Sequence, residues 1–128
     1  SMTNQSETQL SFEETDKSLL IDTVLYFDFD KSELRANVRA ALDERAAILQ
    51  NTNGILRLEG HADERGTREY NLALGERRAN GVKDYLMTYG ISGSRLSVIS
   101  YGKERPVNAG SDPLAWSQNR RSVTVKAN

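Results

Sequence analysis

Residues 55–90 read ILRLEGHADERGTREYNLALGERRANGVKDYLMTYG, and this stretch decides the fold. From Ile55 to Ala62, apolar or small residues alternate with polar ones, which predicts a strand with one buried face. Thr67 belongs to the residue types preferred at helix N-caps. Apolar residues then recur at helical spacing from Arg68 to Tyr89, which predicts a long helix that ends at a glycine. The stretch is therefore interpreted as a strand, a turn and a helix.

The segments on either side extend this pattern into a full domain. Alternation predicts a first strand over residues 24–29, with Leu25, Phe27 and Phe29 on one face, and helical spacing predicts a helix over residues 34–50. Downstream, the sequence predicts a strand over residues 96–101, a short helix over 113–119 and a strand over 122–126. This β-α-β-α-β-(α)-β order predicts an α/β fold, a two-layer sandwich with helices on one face of a mixed sheet.

The bulk composition limits the class of protein. The 128 residues fit one domain, which we place at residues 19–128, after a flexible polar tail over residues 1–18 whose Ser1-Met2 start resembles a cloning remnant. The 17 basic and 18 acidic residues give a net charge of −1, whereas nucleic-acid binders usually carry a clear basic excess. No apolar run reaches the roughly 18 residues of a membrane span. The absence of cysteine fits a cytosolic or a periplasmic protein.

One charged residue interrupts the apolar stripe of the long helix. Arg78 lies four residues after Leu74 and four before Val82, so its side chain is expected to point inward or along the border of the buried face. A buried guanidinium must be paired, and Asp63, between the strand and the helix, is the expected partner. The pair is either a structural brace or a clamp for a zwitterion, in which Arg78 binds a carboxylate and Asp63 an ammonium.

Two other polar features allow alternative interpretations. Asp28 and Asp30 follow an apolar strand, and this spacing resembles the nucleophile motif of haloacid-dehalogenase-type phosphatases. The chain offers no convincing second acidic pair for magnesium, so the carboxylates are better explained as groups that steer the following loop. His61 is the only histidine and there is no cysteine, so no metal site is expected. We expect His61 to lie exposed on the strand face or beside the binding rim.

Five ordered motifs carry a family resemblance. They are YFDFDKS at residues 26–32, EGHADERGT at 59–67, YNLALGERRAN at 70–80, SYGKERP at 100–106 and SQNRRSV at 117–123. Together they resemble the OmpA-like C-terminal domain, and within that family they are most similar to the peptidoglycan-associated lipoproteins. The resemblance covers about residues 20–126.

The resemblance implies a binding function without catalysis, cofactor or metal. The ligand would be the meso-diaminopimelate residue of the peptidoglycan stem peptide. The acidic ligand-binding residue of the family falls on Asp63 and its arginine on Arg78. Further site residues implied in the same way are Phe29, Asp30, Leu74 and Asn71, with Arg65, Thr67 and Arg120 as weaker candidates.

The resemblance also implies partners and a location. Peptidoglycan-associated lipoproteins belong to the Tol–Pal system, where they link the outer membrane to the cell wall on its periplasmic side. Their β-propeller partner TolB would compete for a surface that overlaps the ligand rim, so a protein-interaction module is the alternative function. The family's lipid anchor sits on an N-terminal cysteine, which this sequence does not contain.

Overall fold

A computed structural model describes residues 23–127. Its elements in chain order are β1 (Thr23–Tyr26), α1 (Ala36–Leu49), β2 (Leu56–His61), α2 (Arg68–Met87), a 3-10 turn (Gly93–Arg95), β3 (Leu96–Gly102), α3 (Pro113–Asn119) and β4 (Arg121–Lys126). The tail predicted over residues 1–18 lies outside the described residues. None of the helices between residues 23 and 127 combines the length and apolar character that a bilayer crossing requires.

The four strands form one mixed sheet in the order β1-β4-β2-β3. The last strand, β4, pairs antiparallel with both β1 and β2, and β2 pairs parallel with β3. It follows that β1, β2 and β3 all run in the same direction. The loops after these three strands therefore meet at one edge of the sheet, where open α/β sheets usually bind ligands.

One face of the sheet is covered by α1 and α2, which share a single apolar core with it. The core residues from the helices and the sheet are Leu25, Phe27, Val38, Leu42, Ala46, Leu49, Leu56, Leu58, Ala79, Val82, Leu86, Ile91 and Leu96. The other face carries polar side chains and two exposed large hydrophobic residues, Tyr26 and Ile99. The predicted α/β sandwich with its helices on one face is confirmed.

A contact between two glycines sets how closely α2 approaches β2. A Cβ atom on Gly60 would lie 1.6 Å from the carbonyl oxygen of Gly75, so no larger residue fits there without moving the helix. This backbone approach brings Arg78, one turn after Gly75, within reach of the end of β2. The glycines thus position the site described below.

The first strand is shorter than its predicted span. It ends at Tyr26, and a hydrogen bond from Lys31 N to Asp28 O closes a turn in which Asp30 has a φ of 58°. Phe29 therefore does not continue the buried face, and 55% of it is exposed. The prediction that Phe29 shares the face of Leu25 and Phe27 was wrong, because the turn begins before the alternation reaches it.

Candidate functional site

A cavity of about 250 Å³ opens at the edge where β1 and β2 end and α2 begins. Seven of the nine predicted site residues line it, namely Phe29, Asp30, Asp63, Arg65, Asn71, Leu74 and Arg78. Gly66 and Tyr70 complete the lining. Both come from the turn and first helical turn after β2, so the strand-turn-helix stretch supplies most of the wall.

Arg78 forms the buried floor of this cavity, with no exposed surface. Its Nε donates to the Lys31 carbonyl at 2.9 Å, its Nη1 to the His61 carbonyl at 2.8 Å and its Nη2 to the Asp28 carbonyl at 3.1 Å. The guanidinium therefore ties the loop after β1 to the end of β2. Burial, with repulsion from Arg120, lowers the pKa of Arg78 to about 10, so it remains a cation at neutral pH.

The partner of Asp63 is Arg65, and the predicted direct pairing of Asp63 with Arg78 was wrong. Asp63 Oδ2 accepts from Arg65 Nη2 at 2.8 Å, and Asp63 Oδ1 accepts from Arg65 Nε at 3.1 Å and from the Arg65 backbone N at 3.0 Å. Arg120 Nη1 lies 3.6 Å from Oδ2. The short loop turns Arg65 back onto Asp63, while Arg78 finds enough backbone carbonyls to need no carboxylate.

Asp63 stays ionised although it is buried. The carboxylate is 4% exposed, and burial alone would raise its pKa. The hydrogen bonds and charge of Arg65, with the charge of Arg120, outweigh burial and hold the pKa of Asp63 below its usual range. Asp63 is therefore an anion at neutral pH, available to a cationic group that can reach it.

The guanidinium of Arg65 lies between two aromatic rings. Its central carbon is 4.0 Å from the ring centre of Phe29 and 4.1 Å from that of Trp116. Both distances are within the range of cation–π attraction. The turn that left Phe29 exposed therefore places its ring against Arg65, at the mouth of the cavity.

A second carboxylate, that of Asp30, also lines the cavity. Asp30 accepts a hydrogen bond from the Tyr70 hydroxyl, which raises the pKa of Tyr70. Both side chains are exposed. The cavity thus has one buried carboxylate, Asp63, one exposed carboxylate, Asp30, and one buried guanidinium, Arg78.

The remaining predicted site residues differ in their placement. Leu74 gives an apolar patch, and Asn71 lines the cavity while its Nδ2 donates to the Arg65 carbonyl at 2.9 Å. Thr67 does not line the cavity, since its side chain is the N-cap of α2 and accepts from Tyr70 N at 3.1 Å. Arg120 does not line the cavity, and its Nε donates to the Phe27 carbonyl at 2.9 Å. Neither Thr67 nor Arg120 is thus placed to contact a ligand in this cavity.

Sequence reasoning missed Tyr70 and Trp116. Tyr70 stands at the third position of α2, where its ring faces the loop after β1, and the sequence carried a signal for it because an aromatic there lies beside the predicted rim. Trp116 comes from α3, remote in sequence from Arg65, and no local pattern links the two. Only the sheet order brings them together.

His61 is buried, so its predicted exposure was wrong. It is 2% exposed, its ring lies 5.4 Å from that of Tyr101, and neither ring nitrogen has a hydrogen-bond partner among the described residues. Burial, then the charges of Arg121 and Arg105, lower the pKa of His61 to about 3. The imidazole is therefore neutral at physiological pH, on the face of the sheet opposite the core.

The geometry of residues 23–127 does not support the metal-site or the phosphatase hypothesis. Among residues 23–127 there is no cluster of three or more histidine, aspartate or glutamate side chains arranged to hold a metal ion. The side chain of Asp28 is 62% exposed and lies 3.5 Å from Arg35, outside the cavity. Asp28 and Asp30 therefore do not converge on one reaction centre.

Comparison with known proteins gives a consistent result. The model of the OmpA family matches residues 26–120. A peptidoglycan-associated lipoprotein of Rhizobium meliloti is 54% identical over 102 residues, which cover 79% of this chain and 58% of that protein. One of Pseudomonas aeruginosa is 52% identical over 99 residues, covering 77% of this chain and 59% of that protein. The chain thus spans somewhat under two thirds of the length of these curated relatives.

Solved structures share the fold. The crystal structure of the peptidoglycan-associated lipoprotein from Burkholderia pseudomallei has a TM-score of 0.78 and 39% identity, covering 80% of this chain and 88% of that one. The C-terminal domain of Helicobacter pylori MotB has a TM-score of 0.75 at 19% identity, covering 82% of this chain and 84% of that one. At that identity, the second similarity concerns the fold alone.

Proposed function

The chain belongs to the OmpA family, and from that premise we propose that it binds peptidoglycan non-covalently through the meso-diaminopimelate residue of the stem peptide. The observation that carries the proposal is the cavity at the end of β2. It places the carboxylate of Asp63 and the guanidinium of Arg78 around one hollow of about 250 Å³, with Leu74 as an apolar surface between polar groups.

The chemistry of diaminopimelate matches this arrangement. Its side chain ends in a second amino-acid head, with an ammonium and a carboxylate on the same carbon. The ammonium would bind Asp63, and the carboxylate would be attracted by the buried positive charge of Arg78. A lysine side chain offers only the ammonium, so it would make half of these interactions.

Such a domain needs no reaction step. It holds a rigid rim at a fixed spacing, and a polymer with many stem peptides compensates for weak single contacts. In the whole protein we propose that this grip tethers the outer membrane to the cell wall from its periplasmic side, through an N-terminal lipid anchor and within a Tol–Pal system. An interaction with TolB at an overlapping surface stays a prediction, and a pull-down with and without peptidoglycan fragments tests it.

The test is a titration of the labelled domain with a diaminopimelate-containing stem peptide, with the lysine-containing peptide in parallel. We expect NMR shifts around Asp63, Leu74 and Arg78 with the first peptide, and at least tenfold weaker binding of the second, because it lacks one charge-assisted contact.

Two substitutions sharpen this test. Asp63→Asn should weaken binding at least tenfold, since it removes the charge that faces the ammonium. Asp84→Asn is the matched control, because Asp84 is exposed in α2 and does not line the cavity. Equal binding of both peptides, or wild-type affinity in Asp63→Asn, would contradict the proposal.

A further inference from the structure

We propose that Arg65 is an internal latch, a side chain that occupies Asp63 in the free domain and that the ammonium group of the ligand must displace. This inference rests on the proposed function, because it concerns the same cavity. It makes Arg65 a residue that sets affinity by competing with the ligand, whereas the family resemblance gives it only as a candidate contact.

The first support is the occupancy of the carboxylate. Both oxygens of Asp63 accept from the guanidinium of Arg65, at 3.1 Å and 2.8 Å, in the two-bond geometry that arginine makes with carboxylates. Arg120 lies 3.6 Å from one of the same oxygens. A carboxylate has about four acceptor positions. Arg65 fills three of them, counting its backbone N–H, and Arg120 faces the oxygen with the remaining one, so an ammonium group needs a position that the guanidinium of Arg65 fills.

The second support is that Arg65 is the most exposed of Arg65, Arg78 and Arg120, so its guanidinium can move away from Asp63 into solvent. Its side chain is 34% exposed, whereas that of Arg120 is 17% exposed and Arg78 is fully buried. Arg120 and Arg78 both donate to backbone carbonyls, which fix them in place. Within residues 23–127, the guanidinium of Arg65 has Asp63 and two ring faces as its contacts, and one ring, Phe29, is itself exposed.

The third support is that Asp63 keeps its position when the latch opens. The backbone N of Arg65 donates to Asp63 Oδ1 at 3.0 Å, independently of the side chain. Arg120 remains beside the other oxygen. Displacement of the guanidinium therefore exposes a carboxylate that is already aimed, and the exchange substitutes one cation for another without rebuilding the loop.

The consequence is a reduced apparent affinity. A ligand that binds only the unlatched state has its dissociation constant raised by the inverse of the unlatched fraction. A variant whose residue 65 cannot bind Asp63 has no latched state, so its dissociation constant is not raised in this way. Such a variant, when it is uncharged at residue 65, also lacks a positive charge in the neighbourhood of the incoming ammonium, and both effects act in the same direction.

The test compares the affinity of a diaminopimelate-containing tripeptide for four forms of the full chain by calorimetry. Arg65→Gln should bind about five- to tenfold more tightly than the wild type, as expected for a latched state that outweighs the unlatched one by that factor. Arg68→Gln loses the same charge three residues away, where Arg68 pairs with Glu104 outside the cavity, and should bind like the wild type.

Arg65→Lys separates a latch from a simple charge effect. Lysine keeps the charge but lacks the planar fork and stacks less well between rings. We expect it to bind more tightly than the wild type but less tightly than Arg65→Gln, because it weakens the latch and keeps the charge. If Arg65→Lys matches the wild type while Arg65→Gln binds more tightly, the field of a positive charge explains the gain and the latch is overturned.

A second readout follows the latch itself. In the wild type, the NMR signal of Arg65 Nε–H should shift when the tripeptide saturates the domain, because its hydrogen bond to Asp63 is broken. The signal of Arg120 Nε–H should not shift, because Arg120 keeps its hydrogen bond to the Phe27 carbonyl. Unchanged or weaker binding by a folded Arg65→Gln variant overturns the latch alone. No binding by any form, including the wild type, overturns the proposed function and the latch with it.

Discussion

The two sides of the carboxyl end of β2 treat buried polar groups in opposite ways. On the cavity side, Arg78 and Asp63 remain charged, because carbonyls surround the first and arginine N–H groups the second. On the outer face, neither ring nitrogen of His61 has a hydrogen-bond partner in the described part of the chain, and the imidazole is neutral. His61 belongs to both sides, since its backbone carbonyl accepts from Arg78 while its ring points away.

This difference shows what makes a buried charge useful. A charge without partners is costly in a protein interior, and a titratable group there shifts its pKa and becomes neutral. A charge with several fixed partners stays ionised and keeps its position. The cavity side can therefore present charges to a ligand, whereas the outer face holds a neutral ring in the packing of the sheet.

The largest expected effect is on the cavity side. Arg78→Met keeps much of the side-chain volume but removes the guanidinium hydrogen bonds of three backbone carbonyls, of which only that of Asp28 keeps a second donor, Lys31 N, outside the strand pairing. We expect the free energy of unfolding to fall by about 3 kcal/mol or more. Urea unfolding measures it. Arg77→Met is the control, since Arg77 is exposed and should change stability by less than about 0.5 kcal/mol. Similar losses in both variants would show that the carbonyl contacts contribute little.

The next effect concerns the outer face and depends on pH. Because the pKa of His61 is lowered to about 3 in the folded state, protonation favours the unfolded state, whose histidine pKa is about 6.5. Stability should therefore fall as pH drops below about 6.5, by about 1–2 kcal/mol between pH 7 and pH 5. His61→Phe keeps a ring against Tyr101 and should flatten this dependence.

The charges around His61 come from one glutamate and two arginines. The charged groups facing it are Glu59, whose Oε1 is 4.0 Å from Nε2, and Arg105 and Arg121. Unfolding curves at pH 7, 6 and 5 for both forms decide the matter. An equal slope in His61→Phe would assign the pH dependence to carboxylates elsewhere in the chain.

The smallest effect tests a residue at the boundary of the cavity. Thr67→Ala removes the N-cap of α2, which should lower stability by about 1 kcal/mol. It should leave the affinity for stem peptide unchanged, because Thr67 does not line the cavity. Thr67→Ser keeps the oxygen that caps the helix and serves as the control. A Thr67→Ala variant that is as stable as the wild type but binds stem peptide more weakly would show that Thr67 contacts the ligand.

Periodicity was enough to predict the fold. The alternation before Ala62 and the helical spacing after Thr67 locate β2 and α2, and their boundaries differ from the predicted ones by one or two residues at most. The burial of Arg78 was predicted in the same way, since its neighbours one turn away on the stripe are apolar. These are local properties, so a single sequence carries them.

The pairing of the charges could not be read from spacing. Asp63 has Arg65 at 2.8 Å and Arg120 at 3.6 Å, and Arg78 lines the same cavity. Which arginine binds Asp63 depends on the bend of the loop that carries Arg65 and on the carbonyls offered to Arg78. The exposure of His61 was predicted wrongly, because alternation gives the face of a side chain but not what covers it. Both errors concern contacts between segments that are remote or irregular.

The position of β4 ties the site to a segment that follows it by about fifty residues in the sequence. Among the described strands, β4 lies between β1 and β2, so β1 pairs with no other described strand when β4 is missing. Trp116 and Arg120, which contact Arg65 and Asp63, belong to the same segment. A truncation before residue 113 is therefore expected to lose the central strand and two contacts of the site together.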